Sequence, residues 1–158
     1  FNFRGVGRSQ GEYDNGEGEL SDAATAMDWL QAQNPASREC WIAGFSFGSW
    51  IGMQLMMRRP EIQGFIAATP PALTHDFSFL APCPASGLIV HGEEDEQVPP
   101  DAIYKLVERL SIQKGVKIDI DLISGANHFF TDHLDPMIGR ISTYLDKTFS
   151  EPNFDPLA

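Results

Sequence analysis

The sequence predicts an α/β fold in which a mostly parallel sheet is flanked by helices. Short apolar runs of strand length alternate along the chain with segments in which apolar residues recur at helical spacing. This alternation is typical of parallel sheets, whose strands need a crossover connection between them. At 158 residues the chain has the length of one domain. We predict a single domain over residues 1–150 and a loose tail over residues 151–158.

The first half of the chain is predicted to hold a helix, a strand and a second helix. We interpret residues 1–3 as the end of a strand and residues 4–11 as a glycine-rich loop. The acidic stretch from Glu12 to Glu19 is interpreted as a solvated connection. Apolar residues at helical spacing predict a helix from about residue 18 to residue 33. A strand over residues 39–45 follows, and then a helix that ends at Arg59, before a proline.

The second half is predicted to continue the alternation. A helix opens at Pro99-Pro100, because proline suits the first helical turn. The last helix extends to about residue 149, and the proline-rich residues 69–84 form a loop. The predicted strands cover residues 62–68, 87–91 and 116–123. Ligands of such sheets lie beyond the carboxyl ends of the strands, so the loops at those ends should carry the functional residues.

Residues Gly44-Phe45-Ser46-Phe47-Gly48 form a G-x-S-x-G pattern between a predicted strand and a predicted helix. This is the context of a nucleophile elbow, a sharp turn that lifts a serine hydroxyl above the end of the sheet. We predict that Ser46 is a catalytic nucleophile and that the backbone N–H of Phe47 is an oxyanion-hole donor. We also expect that a Cβ at Gly44 or Gly48 would clash where strand and helix pass.

The acid of a catalytic triad is predicted after the strand over residues 87–91. A run of acids there, from Glu93 to Glu96, would usually be a solvated turn, and we interpret the three glutamates in this way. Asp95 is the predicted triad acid, because it lies a short turn beyond the strand end and can reach back over the sheet edge. Glu94 is the second choice.

His128 is the predicted base, because it follows a glycine-containing loop after the strand over residues 116–123. Of the other histidines, His91 lies in a strand end and is expected to be structural. His75 lies in the proline-rich loop and His133 starts the last helix. In the predicted mechanism His128 takes the proton of Ser46 and hands it to the leaving group, while Asp95 holds the imidazole.

Composition limits the partners and cofactors of the chain. A net charge of −11 argues against nucleic acids and anionic membranes as partners, and no apolar run has transmembrane length. The two cysteines form no C-x-x-C pair, which is typical of reduced thiols in a cytoplasmic protein. The glycine-rich loop lacks the spacing of a nucleotide-binding loop, and the histidines and acids lack the spacing of a zinc or calcium site. The expected partner, which follows from the predicted triad and not from composition, is a small acyl molecule.

Four motifs together resemble the α/β-hydrolase superfamily, and within it the small lidless bacterial serine hydrolases near dienelactone hydrolase. They are the run from Phe1 to Gly11, the G-x-S-x-G pattern, and the segments His91-Gly-x-x-Asp-x-x-Val-Pro99 and Gly125-Ala-x-His-Phe-Phe130. The resemblance implies hydrolysis of an ester or related acyl bond through an acyl-serine, with no cofactor. Dienelactone hydrolases use cysteine as nucleophile. Because Ser46 departs from them, the resemblance does not make a dienelactone the expected substrate of this chain.

The resemblance also implies that two or three strands and a helix precede Phe1 in the family, together with the loop that gives a second oxyanion donor. We therefore expect the chain to be part of a longer protein. Two alternatives stay open from the sequence. One is an acyltransferase that uses the same triad, and the other is a non-catalytic binding protein with an α/β-hydrolase fold.

Overall fold

Four parallel strands form the centre of the molecule in this computed structural model, which describes residues 1–112 and 114–150. The strands lie side by side in chain order, so each pairs with the next one along the sequence. They are β1 (Trp41–Phe45), β2 (Gly64–Ala68), β3 (Ser86–Gly92) and β4 (Ile118–Ile123). All four strands therefore end at the same edge of the sheet, as expected for a site built from the loops that follow them.

Helices cover both faces of this sheet, which confirms the predicted fold class. Alternate strand residues point to opposite faces, so Phe65 packs in a large core cluster with side chains of the first three helices, whereas Ile66 packs in a smaller cluster against the last helix. The helices are α1 (Glu17–Gln33), α2 (Phe47–Met56), α3 (Pro100–Leu110) and α4 (Leu134–Ser150). A single 3₁₀ turn, Ser78–Leu80, interrupts the described proline-rich loop.

The amino-terminal residues differ from the sequence prediction. Residues 1–3 form no strand, because the chain turns at once: the carbonyl of Phe3 accepts the N–H of Val6 at 3.1 Å. The glycine-rich loop that follows is tied to α1, since the guanidinium of Arg4 donates to both carboxylate oxygens of Asp22, at 2.9 and 2.7 Å. The positive charge of Arg4 is therefore paired with a carboxylate of the fold itself.

The prediction that the acidic stretch is solvated is wrong for Glu19, whose exposed fraction is 1%. Its carboxylate accepts the backbone N–H of Asp14 at 2.9 Å and that of Gly16 at 2.8 Å, and so caps the amino terminus of α1. Burial raises the pKa of this carboxyl, but the backbone hydrogen bonds outweigh it, and the pKa is lowered overall. Glu19 is thus a buried cap of the helix.

Two further predictions concern the ends of the chain and membranes. The predicted loose tail, residues 151–158, lies outside the described residues. Across the described part of the chain, no helix combines the length and the hydropathy that crossing a membrane requires.

Candidate active site

Ser46 occupies a sharp turn between β1 and α2. Its backbone has φ 46° and ψ −118°, a conformation that L-residues rarely adopt. The turn is held because the Ser46 N–H donates to the carbonyl of Ala68 on β2 at 2.8 Å, while the Ser46 carbonyl accepts the N–H of Ser49 at 2.9 Å. Backbone strain of this kind persists only where surrounding bonds enforce it, as at functional sites.

The two glycines of the pattern have different roles. A Cβ on Gly44 would lie 2.5 Å from the carbonyl oxygen of Gly48 and from the nitrogen of Ser49, so the close approach of strand and helix requires glycine there. A Cβ on Gly48 would lie 3.8 Å from the ring of Phe3, an ordinary contact. The expectation of a clash is therefore wrong for Gly48, because among the described residues outside α2 the Phe3 ring is the one neighbour within 4 Å of a Cβ added there.

Asp95 lies in the turn that follows β3 and is 4% exposed. One carboxylate oxygen, Oδ1, accepts the backbone N–H groups of Gln97 at 2.8 Å and Val98 at 2.9 Å. These two bonds fix the carboxylate and leave Oδ2 directed at the loop that carries His128. Glu94, the second choice from the sequence, is exposed, and only its backbone N–H is engaged, with the carbonyl of Ala126.

His128 joins the other two predicted residues. Its Nδ1 lies 2.8 Å from Asp95 Oδ2, and its Nε2 lies 3.0 Å from Ser46 Oγ. A carboxylate can only accept, so Nδ1 carries the proton and Nε2 is left as an acceptor for the serine hydroxyl. The imidazole is 5% exposed. The structure thus brings Ser46, Asp95 and His128 into one continuous hydrogen-bonded chain.

Backbone hydrogen bonds hold the acid turn, the residues from Gly92 to Val98 that include Asp95, against the histidine loop, the residues after β4 that include His128. The N–H of Glu93 donates to Ile123 at 3.0 Å, and that of Glu94 donates to Ala126 at 2.9 Å. Gly92 lies so close to the other loop that a Cβ there would be 2.4 Å from the carbonyl oxygen of Ala126. The separation of Asp95 and His128 is therefore set by main-chain packing.

The other three histidines lie outside this chain of bonds. His91 is fully buried below Asp95, and its Nε2 donates to the carbonyl of Val98 at 2.7 Å. Burial lowers the pKa of His91, which favours the neutral ring. The ring of His75 contacts that of Trp50, and His133 Nδ1 lies 2.7 Å from the carbonyl of Thr131. Among residues 1–112 and 114–150, no group of three or more His, Cys, Asp or Glu side chains is placed to hold a metal ion.

The surroundings of the three residues add one donor and two rings. Because α2 begins at Phe47, the backbone N–H of Phe47 has no acceptor within the helix, and it belongs to the residue that follows Ser46. The rings of Phe45 and Phe129 both lie against the imidazole of His128. These two rings were not predicted from the sequence, although their positions next to Ser46 and His128 in the chain are a usable signal.

Comparisons with known proteins agree with this geometry. The dienelactone hydrolase family matches residues 10–148. An uncharacterized protein of Rickettsia prowazekii is 53% identical over 149 residues, which cover 92% of this chain and 63% of that protein. The chain thus spans less than two thirds of the length of this curated relative.

Solved structures give the same result. A protein of unknown function from Agrobacterium tumefaciens, assigned to the α/β hydrolases, is 56% identical with a TM-score of 0.89, over 92% of this chain and 67% of that one. A Xanthomonas campestris protein described as a serine hydrolase without a lid is 33% identical with a TM-score of 0.82, over 92% and 64%. The resemblance seen in the sequence is confirmed, and the chain belongs to the dienelactone hydrolase family.

Proposed function

We propose that this chain is a serine hydrolase that cleaves a carboxylic ester through an acyl-serine intermediate. One observation carries the proposal: Ser46 Oγ, His128 and Asp95 form a continuous chain of hydrogen bonds of 3.0 and 2.8 Å. Family membership supports it, as does the strained backbone of Ser46. The three residues act as nucleophile, base and acid.

In the first half of the reaction, Ser46 Oγ attacks the acyl carbon of the ester while its proton passes to His128 Nε2. The carbonyl oxygen becomes an oxyanion, and the N–H of Phe47 donates to it. When the tetrahedral intermediate collapses, the bond to the alcohol oxygen breaks. His128 Nε2 gives its proton to that oxygen, the alcohol departs, and the acyl group stays on Ser46.

In the second half, water replaces the alcohol. His128 Nε2 takes a proton from water, the resulting hydroxide attacks the acyl carbon, and the carboxylic acid leaves as Ser46 regains its hydrogen. Asp95 keeps Nδ1 protonated throughout and stabilises the imidazolium that forms in each half. Its own geometry is set by the N–H groups of Gln97 and Val98, so it does not need to reorganise during the reaction.

Fluorophosphonate labelling followed by intact mass measurement tests the assignment. We expect the full chain to gain one label, and Ser46→Ala to gain none. Ser37→Ala is the matched control, because Ser37 is exposed and its hydroxyl is bonded only to a nearby carbonyl. Labelling that survives in Ser46→Ala would identify another nucleophile. No labelling of the folded chain would leave two explanations, a missing oxyanion loop or a binding protein, and the same test on a protein extended at its amino terminus separates them.

The molecule that accepts the acyl group from Ser46 distinguishes hydrolysis from acyl transfer. We expect free carboxylic acid to remain the main product when a simple ester is incubated with an excess of a second alcohol. Formation of mainly the new ester would favour the acyltransferase alternative.

We further propose a small acyl molecule as substrate and the cytoplasm as location. Both Cys40 and Cys83 are free, which suits a compartment in which thiols stay reduced. Fractionation of cells with an antibody to the protein would test the location directly.

A further inference from the structure

Two aromatic rings border the imidazole of His128. The centroid of Phe45 lies 5.6 Å from that of the imidazole, and the centroid of Phe129 lies 5.1 Å from it. The two phenyl rings are 6.1 Å apart. The imidazole itself is 5% exposed, whereas Phe45 is 43% and Phe129 61% exposed. An aromatic surface thus lies open to solvent beside the imidazole.

Local hydrogen bonds hold Phe129 in this exposed position. The side-chain oxygen of Asn127 accepts the backbone N–H of Phe129 at 3.1 Å and that of Thr131 at 3.0 Å. The next residue, Phe130, has φ 52° and is 1% exposed, so its ring anchors the loop in the core. Because Phe130 points inward, Phe129 is directed outward by the backbone, and its exposure is a defined feature of the loop.

Phe129 is one of the residues that line a cavity of about 250 Å³. The cavity also reaches His128, so space for a ligand group exists directly beside the imidazole. Its lining residues are Glu96, Gln97, Asn127, His128 and Phe129. Burying an aromatic group here would remove apolar surface from water on both partners.

The chemistry of the site says which part of a substrate enters this space. In the proposed function, on which this inference rests, His128 Nε2 protonates the oxygen of the departing alcohol. That oxygen must therefore lie next to Nε2, and the rest of the alcohol must extend along the imidazole side of Ser46. We propose that Phe45 and Phe129 form a leaving-group subsite, and that the preferred substrates are esters of uncharged aromatic alcohols.

Charge at the subsite supports an uncharged alcohol. The exposed carboxylate of Glu96 lines the cavity, and an anionic leaving group would be repelled by it. A cationic alcohol is the competing choice, because aromatic rings and a carboxylate together can bind a cation. Phe45 and Phe129 form the aromatic surface without any contribution from Glu96. We therefore propose the neutral aromatic group and not the cation.

Three acetates that differ only in the alcohol test the subsite: benzyl acetate, ethyl acetate and acetylcholine. The measured quantity is the ratio of kcat/KM for benzyl acetate to that for ethyl acetate in the full chain and in Phe129→Ala. Intrinsic reactivity cancels when the two ratios are compared. We expect the ratio to fall about tenfold in Phe129→Ala, the size expected for loss of one aromatic contact. It should fall less in Phe45→Leu.

Trp29→Ala is the matched control. Trp29 is 64% exposed on α1, and its neighbour Leu30 lines a cavity with residues that precede β1, at the opposite end of the sheet. The ratio should stay unchanged in this variant. An unchanged ratio in Phe129→Ala, or a preference for acetylcholine that Glu96→Gln removes, would overturn the proposal. In both cases Ser46-dependent labelling would persist, which separates failure of the subsite from failure of the hydrolase assignment.

Discussion

His91 and Val98 form a buried hydrogen bond that closes the acid turn. His91 Nε2 lies 2.7 Å from the Val98 carbonyl oxygen, and because that oxygen can only accept, Nε2 carries the hydrogen. The N–H of the same Val98 donates to Asp95 Oδ1 at 2.9 Å. Val98 therefore connects the ring of His91, at the end of β3, to the carboxylate that faces His128.

Removal of this donor should weaken both the fold and the acid turn. His91→Leu leaves the Val98 carbonyl buried without its partner, so we expect the free energy of unfolding to fall by about 1–3 kcal/mol. His91→Gln keeps an N–H at a similar reach and should lose less. Urea unfolding and the rate of labelling at Ser46 measure the two effects. Equal losses in both variants would show that ring packing alone matters.

Stability should also decrease as the pH falls below about 6.5. Burial lowers the pKa of His91 from its ordinary value of 6.5, although the Val98 carbonyl and Asp95 partly oppose this. Below that value the unfolded chain binds a proton that the folded chain does not bind until a lower pH, so the unfolded state is favoured. Above it neither state is protonated and the full stability is present.

Urea unfolding at a series of pH values, in the wild type and in His91→Gln, measures this dependence. The decrease below about pH 6.5 should be shallower in the variant. His75, whose pKa is also lowered by burial, is present in both proteins and contributes equally to them. Identical pH profiles would contradict the role given to His91.

Asp95 and Glu94 are adjacent acids of which only one reaches the imidazole. Asp95→Asn removes the carboxylate that accepts from His128 Nδ1, and we expect kcat for a simple ester to fall on the order of 10³–10⁴-fold. Glu94→Gln changes an exposed side chain and should leave kcat within about twofold. Steady-state kinetics on the two variants decides the assignment, and similar losses would contradict it.

The two glycines of the elbow offer a second matched pair. Gly44→Ala forces a Cβ against backbone atoms 2.5 Å away, so the strand and helix must separate. We expect a loss of about 1–3 kcal/mol in the free energy of unfolding. Gly48→Ala makes only an ordinary contact with the ring of Phe3 and adds a better helix former near the start of α2, so it should be neutral or slightly stabilising. Urea midpoints of the two variants test this, and a large loss in Gly48→Ala would contradict it.

The sequence was sufficient to predict the four strands of the sheet, although not the absence of a strand at residues 1–3, and the positions of Ser46, Asp95 and His128 after three of them. Each follows a strand of a parallel sheet, and chain order alone brings such positions to one edge. Asp95 was chosen over Glu94 from its distance beyond the strand, and the structure places it beside His128. That the three side chains catalyse a reaction stays a prediction until the variants are measured.

Other features depend on contacts that a sequence does not display. The burial of Glu19 follows from two N–H groups of the preceding turn, whereas its acidic neighbours suggested a solvated stretch. The orientation of the His91 ring depends on Val98, and the outward direction of Phe129 depends on the inward turn of Phe130. In each case the side-chain direction is set by tertiary packing, which local patterns do not encode.

The bond between Ser46 and His128 spans 82 residues of chain. It forms only when β1 is joined through β2 and β3 to β4, because the two residues lie at the ends of the first and last of these strands. We expect that partly folded molecules that lack any one of these pairings do not form this bond. The reactivity of Ser46 toward a fluorophosphonate, measured during refolding, should therefore report completion of the sheet and not the formation of helices.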